Sequence, residues 1–326
     1  MYRWAFYYGV ILSVLLTLGG CRDNDDTTIL KLAHGLDAEH PVHRGMEFMA
    51  QRVAEKSGGR LLIEIFPSEQ LGSERECIEQ VQLGMIAMTK TSSGPMEGFV
   101  PNIRVFGLPY LFRDDEHMWK VLQGPIGKEL LNEGRDKYLK GLCYYDAGAR
   151  SFYTKDRPIH TPEDLRGLKL RVQKSAMSLK MVLAMGGAPT PIDWGELYSA
   201  LQQGVIDGAE NNPPSLLVSR HYEICKYYTL NEHLRMPDIL IIGTKTWDRL
   251  SPEFKEILQE AADESVAVQR ELWMDMTCKA LEEIEKSGVT LIRPDLDPFR
   301  DSVQSLWAEF EGTEVGALAE RVREVR

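Results

Sequence analysis

The chain has 326 residues, 43% of them hydrophobic, with 49 acidic and 38 basic side chains. At roughly 150 residues per domain, this length suits two domains, each large enough to bury its own core. The hydrophobic content excludes a disordered chain. A net charge of −11 argues against a nucleic-acid partner, because phosphate binding needs Lys and Arg to displace counterions.

At the N-terminus, Arg3 precedes an apolar run from Trp4 to Leu18, shorter than the ~20 residues that span a bilayer as a helix. Leu18-Gly19-Gly20-Cys21 follows, and the chain turns polar at Arg22 to Asp26. A positive start, a short apolar core and small residues at its end describe an export signal. Residues 1–20 are therefore read as a signal peptide and 21–28 as a polar tether. Leu-Gly-Gly-Cys resembles a bacterial lipobox, which implies cleavage before Cys21 and a lipid on its sulfur; an ordinary signal cut nearby, or a retained anchor, is the alternative. Either way the protein is expected outside the cytoplasm.

From Ile29 onward short β-branched runs alternate with amphipathic helices, the pattern of an α/β protein. Ile29 to His34 reads as a strand. Pro41 to Ser57 reads as a helix with Val42, Met46, Met49, Ala50 and Val53 on one face and Gly58-Gly59 ending it. Leu61 to Phe66 is the next strand. Ser73 to Glu76 has the spacing of a capping box and opens a helix to Leu83. Met85 to Thr89 and Leu168 to Val172 read as strands, and Ser175 to Met185 as a helix. Asp193 is expected to cap a helix that runs through Leu201. After Ser251-Pro252, a start signal, neither Gly nor Pro occurs from Glu253 to Ser287. That stretch predicts about 50 Å of helix, long enough to underlie two lobes, with a kink near Asp275 left open.

Cys77, Cys143, Cys225 and Cys278 include no Cys-x-x-Cys pair, so neither a zinc site of that kind nor a thioredoxin-like motif is present; disulfides and buried free thiols both stay open. The chain has no Gly-x-Ser-x-Gly elbow, dinucleotide Gly-x-Gly-x-x-Gly, phosphate-binding Gly-x-x-x-x-Gly-Lys or His-Glu-x-x-His. No catalytic residue or cofactor is assigned. His40 and His43 could offer two metal ligands, but no carboxylate or cysteine stands at matching spacing, and His43 is expected on the exposed side of a helix start. Arg171 is the unusual residue. A guanidinium inside an apolar strand is costly without a partner, so it either meets an internal carboxylate or receives an anionic ligand.

Leu168-Lys169-Leu170-Arg171-Val172 and the run Gln202 to Asn211 resemble the central motifs of the extracytoplasmic solute-binding proteins of tripartite ATP-independent periplasmic (TRAP) transporters. Ser57-Gly58-Gly59, Pro67 to Gly72 and Leu108 to Phe112 are similar to that family as well, and the resemblance covers Ile29 to about Phe310. It implies a two-lobed α/β periplasmic-binding-protein fold with a cleft between the lobes and a long helix spanning both. Lobe I would comprise 29–147 and 237–276, and lobe II 148–236 and 277–326. The resemblance also implies a periplasmic monomer, not an enzyme, that binds an organic acid and delivers it to the small and large membrane subunits of the transporter.

In that family the arginine at Arg171 forms the main salt bridge to the ligand carboxylate, with a second arginine at Arg150 and an amide at Asn211 facing the same cleft. Asn212 is included beside it. Trp194 stands where an aromatic commonly walls the pocket; plain core packing is the other reading. Lobe I offers His34, His40, Glu74, Arg75 and Lys90 for hydroxyls and a second charge. Gly35 and Ser92 depart from the asparagine and glutamate of sialic-acid binders. Ala33-His34, His40 to His43 and Ala147 to Tyr153 look most like binders of hexuronates such as glucuronate or galacturonate. Aldonates, sialic acid and C4-dicarboxylates are the other acids considered, with Lys90 as the second cation for a dicarboxylate or else a solvated loop residue. A ligand-sensing partner of a receptor is the alternative role.

Overall fold

The computed structural model describes residues 27–326; the signal segment and Cys21 lie outside the described residues. Eleven strands follow in chain order: β1 (Thr28–Ala33), β2 (Leu61–Phe66), β3 (Met88–Ser92), β4 (Leu139–Tyr145), β5 (Ala149–Thr154), β6 (Lys169–Val172), β7 (Ala188–Pro191), β8 (Gly208–Asn211), β9 (Tyr227–Arg235), β10 (Asp238–Gly243) and β11 (Thr290–Ile292). They form two sheets, ordered β2-β1-β3-β10-β4 and β11-β9-β5-β8-β6-β7. Each sheet is the floor of one lobe. The chain passes from the first sheet to the second at 146–148, returns at Met236-Pro237, and crosses again along one helix, Pro252–Lys286.

That helix is continuous for 35 residues, without a break at Asp275, and Ser251 caps it by accepting the Phe254 N–H. It packs against the Pro41–Ser57 helix and β4 in the first lobe and against the Pro213–Val218 helix in the second. Gly45 permits the close approach: a Cβ there would lie 2.7 Å from the Gln269 Cβ. Gln269, fully buried, in turn accepts the Asp146 N–H at 2.7 Å and donates to the Asp146 carbonyl at 2.9 Å. The helix thereby holds the first crossover in place. Met46, Met49 and Val53 meet it through the core, reinforced by Arg52–Glu264 at 2.7 Å and Lys56–Glu260 at 2.7 Å. Exposed pairs of this kind contribute little; the apolar seam carries the contact.

Local signals place several elements where the sequence puts them. The Pro41–Ser57 helix ends on Gly58 at φ 62°, a conformation glycine adopts without strain, and the capping box at Ser73 opens Glu74–Leu83. Three differences have physical causes. β3 begins at Met88, because the Met85 N–H is still held by the Gln80 carbonyl behind the preceding helix. Asp193 makes no side-chain cap: a 3-10 turn, Trp194–Glu196, separates it from the helix Leu197–Gln202, which passes through Leu201 as expected. Within 277–326, grouped above with lobe II, β11 does pair with β9 of that lobe, but the last helix, Glu314–Glu324, returns to lobe I: it packs on the turn Pro101–Gly107, and His117 Nε2 lies 2.9 Å from the Val322 carbonyl oxygen. Cys77, Cys143, Cys225 and Cys278 are free, the first three buried.

Candidate ligand-binding site

A cavity of about 690 Å³, its mouth included, opens between the lobes. Ligand sites of α/β sheets form beyond the carboxyl ends of strands, and β6 and β8 deliver Arg171 and Asn211 in that way, with Arg171 paired to Ala209 in the parallel ladder.

Arg171 is 3% exposed and lines the cavity. Its Nε donates to the Ile192 carbonyl at 2.8 Å. Nη1 is buried without any partner. Among the described residues no carboxylate forms an ion pair with it, and burial lowers its pKa. The Trp194 ring, 5.7 Å away, covers the guanidinium, and His221 packs behind the indole at 5.3 Å. A planar cation held at one edge, with its remaining N–H groups free, suits a carboxylate that accepts two parallel hydrogen bonds.

Arg150 lines the same cavity but is already neutralised. Its Nε lies 2.5 Å from Glu210 Oε2 and its Nη2 2.8 Å from Oε1, while Nη1 donates to Asn211 Oδ1 at 2.9 Å. Arg150 and the neighbouring His233 hold the Glu210 carboxyl at a pKa of about 2 against the opposing effect of burial. Asn211 Oδ1 also takes the Asn212 N–H, at 2.9 Å. With that oxygen doubly engaged, the amide nitrogen is what Asn211 offers the cleft. Asn212 caps the Pro213–Val218 helix through Ser215 and donates to the Ala147 carbonyl, so its polar atoms hold the wall while its body lines it.

The facing wall belongs to lobe I. Lys90, 2% exposed, sits between Glu74 Oε1 at 3.1 Å and Asp238 Oδ2 at 3.2 Å. It is no solvated loop residue. Burial alone would lower its pKa, but the two carboxylates outweigh that and raise it. Burial raises the Asp238 carboxyl, with Lys90 opposing. Glu74 Oε1 also accepts the Ser92 N–H at 3.0 Å. One cation between two carboxylates leaves this wall net negative and rich in acceptors, the character that binds hydroxyls.

Seven of the eight expected ligand-binding residues, Arg171, Arg150, Asn211, Asn212, Glu74, Lys90 and Trp194, line this cavity. His34 does not. Its Nε2 lies 2.9 Å from His43 Nδ1 and its Nδ1 accepts the Leu36 N–H at 3.1 Å, so both ring nitrogens are engaged behind the wall. His43, expected on an exposed face, is buried as its partner. His40 and Arg75, also expected on this wall, do line the cavity, His40 with Nε2 3.3 Å from Ser215 Oγ across the hinge. Asp238, Gln173, Glu69 and Trp273 also reach the cavity without having been singled out. Only Asp238 carried a local sign, an acid at the head of the apolar run Ile239 to Ile242.

Two lobes, a shared helix and a cleft carrying an unpaired buried arginine define a solute-binding protein for an organic anion. The chain belongs to the bacterial extracellular solute-binding protein family 7, whose model matches residues 32–313. It is similar to a TRAP periplasmic solute-binding protein of Xanthobacter autotrophicus solved with bound β-D-galacturonate: TM-score 0.88, 38% identity, 91% of this chain and 100% of that one. A TRAP solute-binding protein of Pseudomonas putida solved with D-glucuronate gives a TM-score of 0.89 at 38% identity, over 92% of this chain and 98% of that one. The C4-dicarboxylate-binding periplasmic protein DctP of Rhodobacter capsulatus is 31% identical over 265 residues, 80% of this chain and 79% of its own length.

Proposed function

We propose that this chain binds a hexuronate, glucuronate or galacturonate, outside the cytoplasmic membrane and hands it to the small and large membrane subunits of a TRAP transporter. The observation that carries the reading is the pairing of opposites across the cleft. Arg171 is a buried cation without a counter-ion, and the Glu74–Lys90–Asp238 wall facing it is crowded with acceptors. A sugar acid presents one carboxylate to the first and hydroxyls to the second. The uronates bound in the two structures similar to this chain support the same choice.

A C4-dicarboxylate, the ligand named for the Rhodobacter relative, needs a second cation. Lys90 was the candidate, and it is engaged by two carboxylates. Aldonates and sialic acid remain secondary readings, as does service to a receptor in place of a permease. No acid–base pair is assigned, and the cleft is read as a binding site alone. Attachment through a lipidated Cys21, a monomeric state and the lobe boundaries at 147/148 and 236/237 belong to the same proposal.

Lobe closure follows from the geometry. Arg171, Arg150 and Asn211 stand on the second lobe, and Glu74, Lys90 and Asp238 on the first. A ligand that touches both favours the closed form by its differential affinity for it. A thermal-shift panel of glucuronate, galacturonate, an aldonate, sialic acid, succinate and glucose tests the assignment. A ligand at a hundred times its Kd adds about 2.7 kcal/mol. The proposal expects a rise of several degrees with uronates and none with glucose; a rise with succinate alone overturns it.

A further inference from the structure

We propose that Glu69 is a conditional latch between the lobes, closing the cleft over an acid that offers it a hydroxyl and not over one that lacks it. The inference rests on the sugar-acid reading above and adds a residue that discriminates by hydroxyl content.

Glu69 lies in the loop after β2, on the first lobe, and its two carboxylate oxygens have different surroundings. Oε2 accepts the backbone N–H of Gly195, on the second lobe, at 3.2 Å. Oε1 is buried and has no donor. Both residues line the ligand cavity or its rim, Glu69 within it and Gly195 beside Trp194. The loop is built to present this side chain. Ser68 and Glu69 both adopt left-handed backbone, φ 54° and 57°, which non-glycine residues enter rarely and mostly where surrounding structure enforces it. Here the Ser68 N–H is held by the Leu36 carbonyl at 2.9 Å and the Glu69 N–H by the His34 carbonyl at 3.1 Å.

The partner position is equally specific. A Cβ on Gly195 would sit 2.4 Å from Glu69 Oε2, so no other residue admits this approach without displacing the carboxylate. Closure therefore makes one hydrogen bond across the cleft and buries one acceptor. Over an empty cleft the buried Oε1 loses its water and gains nothing, and an unsatisfied buried acceptor opposes closure. A ligand hydroxyl that donates to Oε1 removes the penalty and leaves the Gly195 bond as net gain. The latch is thus made by the ligand's hydroxyl, independently of the carboxylate held at Arg171.

The test measures release kinetics by stopped-flow fluorescence, since Trp194 and Trp273 both line the cleft. Glucuronate is compared with tetrahydropyran-2-carboxylate, which keeps the ring and carboxylate without hydroxyls, its affinity read by competition. Glu69→Ala is expected to release glucuronate about 10- to 100-fold faster, with association changed less than threefold. Its affinity for the hydroxyl-free acid should change less than threefold. Gly195→Ala should also speed glucuronate release, and the double variant should be no faster than Glu69→Ala alone. Glu69→Gln, a conservative second variant, should likewise release faster than wild type. Wild-type release rates in the Glu69 variants, or equal fold-losses for both acids, would overturn the latch. Failure of the wild type to bind glucuronate at all would instead overturn the function proposed above, so the two failures are distinguishable.

Discussion

The Arg150 guanidinium clasps Glu210 through two hydrogen bonds, Nε to Oε2 at 2.5 Å and Nη2 to Oε1 at 2.8 Å. Arg171, on the adjoining face of the same cavity, has no such partner. Two buried arginines in one cleft therefore have opposite roles, one completing the wall and the other awaiting an anion.

This asymmetry separates the two substitutions. Arg171→Ala should cost about 2–5 kcal/mol of ligand binding, roughly 30-fold to several thousand-fold in affinity. Because it removes an uncompensated buried cation, it should leave the unliganded protein as stable as wild type or more so. Arg150→Ala strands Glu210 in the core and should destabilise the fold by about 3–5 kcal/mol. Calorimetric titration and chemical denaturation of both variants check the contrast; equal loss of stability in the two would refute it.

Lys90 and Asp238 set the charge of the far wall. Replacing the acid in Asp238→Asn leaves Lys90 with Glu74 alone. Affinity for glucarate, a six-carbon dicarboxylate, should then rise about tenfold relative to glucuronate. Isothermal titration with the two sugars measures the ratio, and an unchanged ratio would show that Lys90 does not govern it.

Buried histidines give the stability a defined pH dependence. Burial lowers the pKa of His34 to about 2, of His40 to about 3 and of His221 to about 3. An unfolded chain protonates them near 6.5 while the folded one resists, so stability is fully present above about 6.5 and lost as pH falls from there toward 3. Each contributes at most about 1.4 kcal/mol per pH unit. The Glu210 carboxyl acts lower, its contribution being lost only as pH falls from the ordinary carboxylate range toward 2. Urea unfolding at pH 7.5, 6.0 and 5.0 should show a steep decline, and a flat profile would mean that these rings protonate in place.

What the sequence revealed was local or covalently periodic. The capping box at Ser73, the Gly58 stop and the Ser251-Pro252 start each lie within a few residues of the feature they set, and the uninterrupted stretch to Lys286 announced its own length. Arg171 was conspicuous because a charge broke an apolar run. Lys90 was legible as a cation but not as a neutralised one, because its partner Asp238 reaches it through the antiparallel pairing of β10 with β3, Leu240 opposite Lys90. The burial of His43 depended on His34 turning back from the end of β1. Glu69 stood within the family-like stretch Pro67 to Gly72 but was not legible as a site residue, since its meaning comes from Gly195 on the other lobe. Long-range register and cross-cleft contact are what a periodic pattern does not encode.

The most direct measurement is calorimetric titration of the protein with D-glucuronate, in wild type and in Arg171→Ala side by side. The expected result is one-to-one binding in the wild type, weakened at least 30-fold in the variant, with both proteins folded. Equal binding by the two, or no binding of D-glucuronate to a ligand-free wild type, would contradict the assignment of this cleft.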